Sequence, residues 1–496
     1  MGIKAALSKP YAKFYIKRVK KAQQNAVEEQ KKLFKSLLST AANTAFGKDH
    51  DFNSIQNHAD FVKRVPIRDY EGLKSYVDRI VAGEEDILWP GKPIYLSKTS
   101  GTTSGAKFIP ITKESMPNHI DSAKAALLSY IYETGDASFV DGKMIFLQGS
   151  PELHDKNGIP LGRLSGIVAH HVPGYLLKNR LPSFETNCIE DWETKLDAVI
   201  DETLPEKMTL ISGIPSWVQM YFERILERTG KKNIAEVFPD FSLFVYGGVN
   251  FEPYRKHFDK LIGKKIPSVE TYPASEGFIA YQDSQKEKGL ALVVNNGIFY
   301  EFVPTDEVFD ENPTRLTLEE VELDKNYAII LNTNAGLWGY NIGDTVKFVS
   351  KDPYRIVVTG RIKHFISAFG EHVIAEEVEK TMQEACQKFD AEVVEFTVAP
   401  MVRAKGESSY HEWFVEFSKE PLNLEEMTIF MDKRMQGLNI YYKDLLEGNI
   451  LRPLKISKVK RDGFVEYMKS QGKLGGQNKI PRLSNDRKIA DNLPLV

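Results

Sequence analysis

The chain is poor in cysteine. Cys188 and Cys386 are the only two thiols among 496 residues, and they stand far apart in sequence. Two thiols build neither a disulfide framework nor a cysteine-rich zinc site, so the expected setting is reducing and cytoplasmic. No apolar run approaches the ~18 residues of a membrane helix, and Ala5-Ala6-Leu7 is too short for the core of a secretory signal. Charge of one sign is also lacking. Sixty-five basic residues stand against 68 acidic ones, for a formal net charge of −3, which gives no support to a nucleic-acid partner. The adjacent histidines His170 and His171 have no companion at metal-ligand spacing. There are no internal repeats and no low-complexity linker.

What the chain does have is apolar and aromatic content of 42% and 11%, ordinary for globular domains, and a length that asks for two or more of them. Residues 1–90 read mainly as helices, punctuated by Pro66 and ending at Trp89-Pro90-Gly91. The first of them is basic, and Tyr11, Phe14, Tyr15 and Val19 recur at near-helical spacing. Such an amphipathic helix packs on its own domain more often than on an acidic membrane surface. From Tyr95 onward short apolar strands alternate with helical stretches. Lys143–Leu147, Leu210–Ser212, Leu243–Tyr246, Phe299–Val303 and Ala328–Leu331 read as strands, with helices at Trp192–Leu204 and Ser216–Arg228 between them. The expected class is α/β, a large multi-sheet domain with flanking helices over residues 1–360. After Arg361 the order changes to α-β-β-α-β-α, beginning with an amphipathic helix at Ala375–Phe389, which fits a small α+β domain over residues 361–496.

Several segments suggest chemistry. In Thr99-Ser100-Gly101-Thr102-Thr103-Ser104-Gly105, followed by Ala106-Lys107, hydroxyls alternate with glycines. Such a loop can wrap an anion such as a triphosphate with inward N–H groups, or it is a plain surface turn. The spacing of a nucleoside-triphosphatase P-loop is absent. Glu270–Gly277 reads as a strand end entering a Pro-containing turn that carries Ser275 and Glu276. Trp338–Asp344 reads as a Gly-Asp turn between strands, whose carboxylate offers acceptors to neighbouring hydroxyls. Thr359–Val373, Phe244–Asn250 with its Gly247-Gly248 turn, and Gly476-Gln477-Asn478-Lys479-Ile480-Pro481-Arg482 complete the set.

In this order, across residues 97–482, the segments resemble those of adenylate-forming enzymes. Those enzymes activate a carboxylic acid as its acyl-AMP. The version found here is most similar to the plant auxin-responsive acyl-acid amido synthetases and their bacterial relatives. The resemblance implies ATP and Mg²⁺ as cofactors, with Thr99, Ser100, Gly101, Thr102, Thr103, Ser104 and Gly105 around the phosphates. It places the ring of Tyr272 and the backbone of Gly247 and Gly248 on adenine, Ser275 on the α-phosphate, Asp344 on the ribose and Arg361 on ribose or phosphate. Glu276 would hold the metal. Lys479, Glu276 and Lys107 would form the catalytic set, with Lys479 arriving on a C-terminal lid that turns about a hinge at Lys363. The acyl pocket is expected beside the helix that starts near Gly213, lined by Trp217, Met220 and Tyr221, and by Val168, His171 and Val172. Residues 1–360 would bind ATP and the acid. The implied partners are a small carboxylic acid and an amino acid, with no nucleic acid and no integral membrane segment. Two rivals stay open, an acyl-CoA ligase using the same first step and a non-catalytic ATP-binding protein. Ala106 and Phe108 leave the phosphate loop leaner than in the plant forms, so the acid need not be a plant hormone.

Overall fold

The computed structural model describes the chain apart from residue 1, segments 100–106, 173, 175–177, 249–250, 252–254, 363–372, 402–408, 448–449, 475–478 and 485, and the side chains of 3, 440 and 441. It separates into two compact units. The larger comprises Met1–Thr229, Ala235–Gly248 and Ile266–Val357; the smaller comprises Gly230–Ile234, Val249–Lys265 and Val358–Val496. The last segment of the smaller unit begins at Val358. The smaller unit also takes in two earlier segments.

In the larger unit, the first helix is Ile3–Gln24. It packs through Ala5, Ala12 and Ile16 against Ala125, Ala126, Leu128 and Ile131 of the helix Met116–Thr134. Tyr15 and Val19 join that face half-buried. Tyr11 and Phe14, read from the sequence as part of the packed face, point outward instead. Small alanines let the two helices approach, and the bulkier rings fall on the other side. The neighbouring helix Ala26–Ala41 buries Phe34, Leu37 and Leu38. In Tyr70–Val81, Leu73, Val77 and Ile80 recur at helical spacing, and the Asp69 carboxylate caps the start by accepting from the Gly72 N–H.

Strands are numbered in chain order: β1 Tyr95–Thr99, β2 Lys107–Ile111, β3 Lys143–Phe146, β4 His154–Lys156, β5 Ile159–Gly162, β6 Arg180–Leu181, β7 Met208–Ser212, β8 Leu243–Gly247, β9 Ser268–Ala274, β10 Gly277–Tyr281, β11 Leu290–Leu292, β12 Ile298–Pro304, β13 Asn326–Thr333, β14 Tyr340–Lys351 and β15 Tyr354–Arg361. One sheet has the order β2-β1-β5-β4, and an eleven-stranded sheet runs β12-β13-β14-β15-β11-β10-β9-β8-β7-β3-β6. From β9 through β8, β7 and β3 to β6 the large sheet is parallel. The helices Trp192–Thr203 and Pro215–Thr229 lie in the crossover connections on this side. On the other side of β9 the observed pairings are antiparallel. The α/β architecture with several sheets is the one expected.

The smaller unit carries the sheet β16 (Glu392–Met401), β17 (Tyr410–Lys419) and β18 (Lys455–Lys458). The helices Ala375–Lys388 and Leu424–Leu438 cover it with Val378, Met382, Met427, Met431 and Met435 against Val393, Phe396 and Trp413. A short helix, Ile440–Glu447, follows and was not read from the sequence. Asn439 separates it from its predecessor by accepting from the Tyr442 N–H at 2.8 Å. The helix Arg255–Ile262 belongs to this unit too, with Lys256 on Asp390 at 2.8 Å and Lys260 on Glu392.

Candidate active site

β9 and β10 form a tight hairpin. Ala274 pairs with Gly277, leaving Ser275 and Glu276 as its two-residue turn. Pro273 faces Phe278 and has no N–H to donate, so the partner backbone needs another source. Buried Asn118 supplies it. Its Oδ1 accepts from the Phe278 N–H at 2.6 Å, and its Nδ2 donates to the Phe278 carbonyl at 3.2 Å and to that of Asn296 at 2.9 Å. The turn is thus rigidly presented. Ser97, fully buried on β1, donates to the Ser275 hydroxyl at 3.0 Å, and the Tyr340 hydroxyl donates to Glu276 Oε1 at 3.2 Å.

The large sheet curls around this turn. β9 and β14 are four places apart in the strand order, about 19 Å in a flat sheet. Yet the Tyr272 hydroxyl on β9 donates to Asp344 Oδ2 on β14 at 2.5 Å. Asp344 is not in a turn, as the sequence suggested, but inside β14 at an irregularity. Three residues, Ile342, Gly343 and Asp344, stand between Asn341 and Thr345, where the partner strand has only Ile329 between Ala328 and Ile330. Such a bulge re-aims a side chain. Gly343 takes the left-handed φ of 88° that it needs.

Electrostatics link these groups. Burial pushes the Glu276 carboxyl above its usual range; the Lys107 ammonium opposes the shift and the Asp344 carboxylate adds to it. The Tyr340 phenol is raised too, by burial first and by Glu276 second. Lys107 opens β2 directly opposite Thr99, the last residue of β1. Its ammonium lies 5.5 Å from the centre of the Tyr70 ring, and the Tyr70 hydroxyl accepts from the Phe108 N–H at 3.0 Å. Thr99, Lys107, Tyr272, Ser275, Glu276 and Asp344 therefore belong to one tied structure. Gly247 ends β8 opposite Thr271, the neighbour of Tyr272. A Cβ there would come within 2.4 Å of the Thr271 carbonyl oxygen, and Gly248 has φ 83°. The close passage of strand and turn thus depends on both glycines.

Arg361 is exposed at the end of β15. Lys479 is exposed as well, on an anchored stem: Ile480 is buried against Phe414 and Phe464, and the Pro481 carbonyl accepts from Thr397 at 2.7 Å. The Arg482 guanidinium lies 4.6 Å over the Phe396 ring and pairs with Glu379 and Glu395.

Among the residues expected around an acyl group, His171 contacts the Tyr95 hydroxyl through Nε2 at 3.1 Å, and burial lowers its pKa. Val168 and Val172 are half-buried nearby in sequence, and Val168 packs with Ile111, Met116 and Leu164. Trp217 is buried against Trp192, with ring centres 5.1 Å apart, while Met220 is half-buried. Tyr221 is wholly interior, its hydroxyl bonded to Thr203 at 2.7 Å between two helices. Ser100, Gly101, Thr102, Thr103, Ser104, Gly105 and Lys363 lie outside the described residues. Ser97, Tyr70, Asn118 and Tyr340 were not singled out from the sequence. Only Ser97 and Tyr340 carry a signal there, as polar residues inside motifs already picked out.

Among the described residues no three His, Cys, Asp or Glu side chains gather as a metal cage. One carboxylate at a turn, with a second in electrostatic reach, instead fits an ion completed by phosphate oxygens and water. That is the habit of Mg²⁺.

The GH3 family N-terminal domain matches residues 15–186, its central domain residues 291–361 and its C-terminal domain residues 376–488. The chain is 22% identical over 383 residues to the jasmonoyl–L-amino acid synthetase JAR4 of Nicotiana attenuata, covering 64% of this chain and 66% of that protein. It is likewise 22% identical to the indole-3-acetic acid-amido synthetase GH3.3 of Arabidopsis thaliana, covering 91% of this chain and 88% of that one. In fold it is similar to the solved GH3.15 acyl acid amido synthetase, with a TM-score of 0.80 at 16% identity over 96% of this chain and 95% of the other. The chain therefore belongs to the GH3 family and is a ligase.

Proposed function

We propose that this protein uses ATP to activate a carboxylic acid as its acyl-adenylate, releasing pyrophosphate, and then passes the acyl group to the amino group of an amino acid. One observation supports this reading above the others. Ser275 and Glu276, on a rigid two-residue turn, stand between Ser97, Lys107, Tyr340 and the Tyr272–Asp344 pair. A ring, a ribose-type acceptor, a hydroxyl, a carboxylate and an ammonium are thus gathered where a nucleotide would present adenine, ribose and phosphates in order. The reaction needs positioning and charge offset rather than a protein nucleophile.

In this reading Tyr272 and the Gly247-Gly248 backbone flank adenine, while Asp344 turns its carboxylate to the ribose hydroxyls. The 100–106 loop, Lys107 and Ser275 hold the phosphates. Glu276 is the residue that would hold Mg²⁺, which when bound offsets phosphate charge during the displacement. Residues 1–360 bind ATP and the acid, and residues 361–496 act as the mobile lid, turning at Lys363 to bring in Lys479. A compact ammonium acts strongly on a displacement at phosphorus only once it is in place. The relatives' names give different acids, and 22% identity does not carry either of them to this chain.

The test is pyrophosphate release from Mg·ATP with a panel of aryl, indolyl, fatty and hydroxycinnamic acids, with amino acids or with coenzyme A. Acid-dependent release raised by amino acids, with an amide found by mass spectrometry, is the expected result. Stimulation by coenzyme A alone would move the protein to the thioester-forming ligases. ATP binding without any release would favour a non-catalytic protein. Lys479→Ala is expected to lower adenylation about a hundredfold or more and to leave ATP affinity nearly unchanged. Equal turnover would remove Lys479 from the mechanism.

A further inference from the structure

A second polar cluster lies in the larger unit, outside the nucleotide-site residues. Lys195 is buried in the first turns of the helix Trp192–Thr203, where the helix dipole disfavours a cation. Its ammonium donates to the carbonyl of Asn187 at 2.6 Å and to that of Gln148 at 3.1 Å. No carboxylate pairs with it among the described residues. On the two residues that bond it, Gln148 Nε2 and Asn187 Oδ1 are shielded from solvent and have no hydrogen-bond partner, and the same holds for Ser165 Oγ and for Trp192 Nε1 one turn back on the helix. Asn187 and Trp192 are more than nine-tenths buried. Ser165 and Arg163 both approach Gly149, the residue after Gln148. Burial pulls the Lys195 ammonium down to about 8, with Cys188 opposing the shift and Arg163 adding to it.

A buried cation without a counter-ion, beside several idle polar atoms, is costly unless something completes it. The idle atoms are mostly donors, so the missing group is an acceptor, and the unpaired ammonium asks for an anion. Its place in the sheet says where such a group would come from. β3, β7 and β8 are adjacent and parallel, so Leu147-Gln148, Gly213 and Gly248 follow their carboxyl ends along one edge. Ligands bind at that edge of an open α/β sheet. Gln148 stands two strands from Gly248, about 10 Å, and the expected acyl-pocket helix touches the cluster through Trp217 on Trp192.

We propose that the Lys195 cluster binds a second, anionic group at the far end of the acid, making the substrate a dicarboxylic acid. This rests on the reading of the Gly247-Gly248 edge as the adenylation site. The test compares kcat/KM for pyrophosphate release with adipate and suberate against hexanoate and octanoate, in the intact protein and in Lys195→Met, Trp192→Phe and Gln148→Leu. Trp192→Phe keeps an aromatic ring beside Trp217 and removes the indole N–H together with the volume of one ring. If Lys195→Met fails to fold, the other two variants decide. One charge-assisted bond is worth about ten- to hundredfold in such a ratio. The diacids are expected to lead by that margin, and the lead to shrink severalfold or more in each variant. Preference for the monoacids, or a diacid lead unchanged in the variants, would overturn the proposal. Adipate binding by calorimetry without ATP separates the two readings. If no acid releases pyrophosphate but adipate still binds in a Lys195-dependent way, the adenylation reading fails and the anion site stands. If adipate neither binds nor reacts, the site is overturned.

Discussion

At the residue scale, the Glu276–Tyr340 contact leads to a measurable difference. Glu276→Gln removes the charge that would meet a cation, so Mg²⁺-dependent pyrophosphate release is expected to fall about a hundredfold. Tyr340→Phe only frees the carboxylate from its orienting hydroxyl. The Mg²⁺ concentration for half-maximal release should then rise about tenfold with the maximum rate little altered. Elsewhere in the same unit, Glu301 on β12 is fully buried with Arg315, His58 and Asn332. Desolvation alone would raise its pKa, but Arg315 and His58 outweigh it and hold the carboxyl at about 2. A lowered carboxyl stabilises the fold fully above its ordinary pKa of 4.5 and loses that contribution as pH falls toward 2. Glu301→Gln, which strands the Arg315 charge, should cost about 3–5 kcal/mol at pH 7. It should also flatten the acid limb of the unfolding profile, as read by denaturant titration between pH 3 and pH 7.

At the scale of elements, the β8–β9 contact depends on the absence of a side chain at Gly247. Gly247→Ala drives a Cβ into the Thr271 carbonyl. It should cost about 1–3 kcal/mol and weaken ATP binding, both measurable by thermal unfolding with and without the nucleotide. The contrast with Tyr340 shows what was legible from the sequence. Gly247-Gly248, the Ser275-Glu276 turn, Asp344 and the helix at Ala375 announce themselves through local composition and period, which is what a linear reading samples. The Tyr272–Asp344 bond arises from the curl of a sheet whose contacting strands lie four places apart, and Asn118 and Tyr70 reach β10 and β2 from helices far off in sequence. No local spacing encodes that curl. The first helix packs on its own domain as expected, but its packed face differs in part, for a related reason. Aromatic spacing marked a face, but the neighbouring helix accepts alanines, so Tyr11 and Phe14 turned outward. The short helix Ile440–Glu447 escaped because a single capping Asn439 makes the break.

At the scale of the whole molecule, the chain passes between its two units at residues 229/230, 234/235, 248/249, 265/266 and 357/358. The helix Arg255–Ile262 is thus an inlay. It comes from the middle of the sequence, yet its Phe258 and Ile262 are buried, and its lysines hold Asp390 and Glu392. The domain grammar of the chain is therefore not its linear grammar. A chimaera that takes only residues 358–496 from a relative keeps a foreign piece in that unit's wall. One that also takes 230–234 and 249–265 transfers a whole unit. Of two such exchanges, the second should give soluble protein with a cooperative melt, while the first should melt lower or aggregate. Equal behaviour of the two would show that the inlay is decoration rather than part of the smaller unit's core.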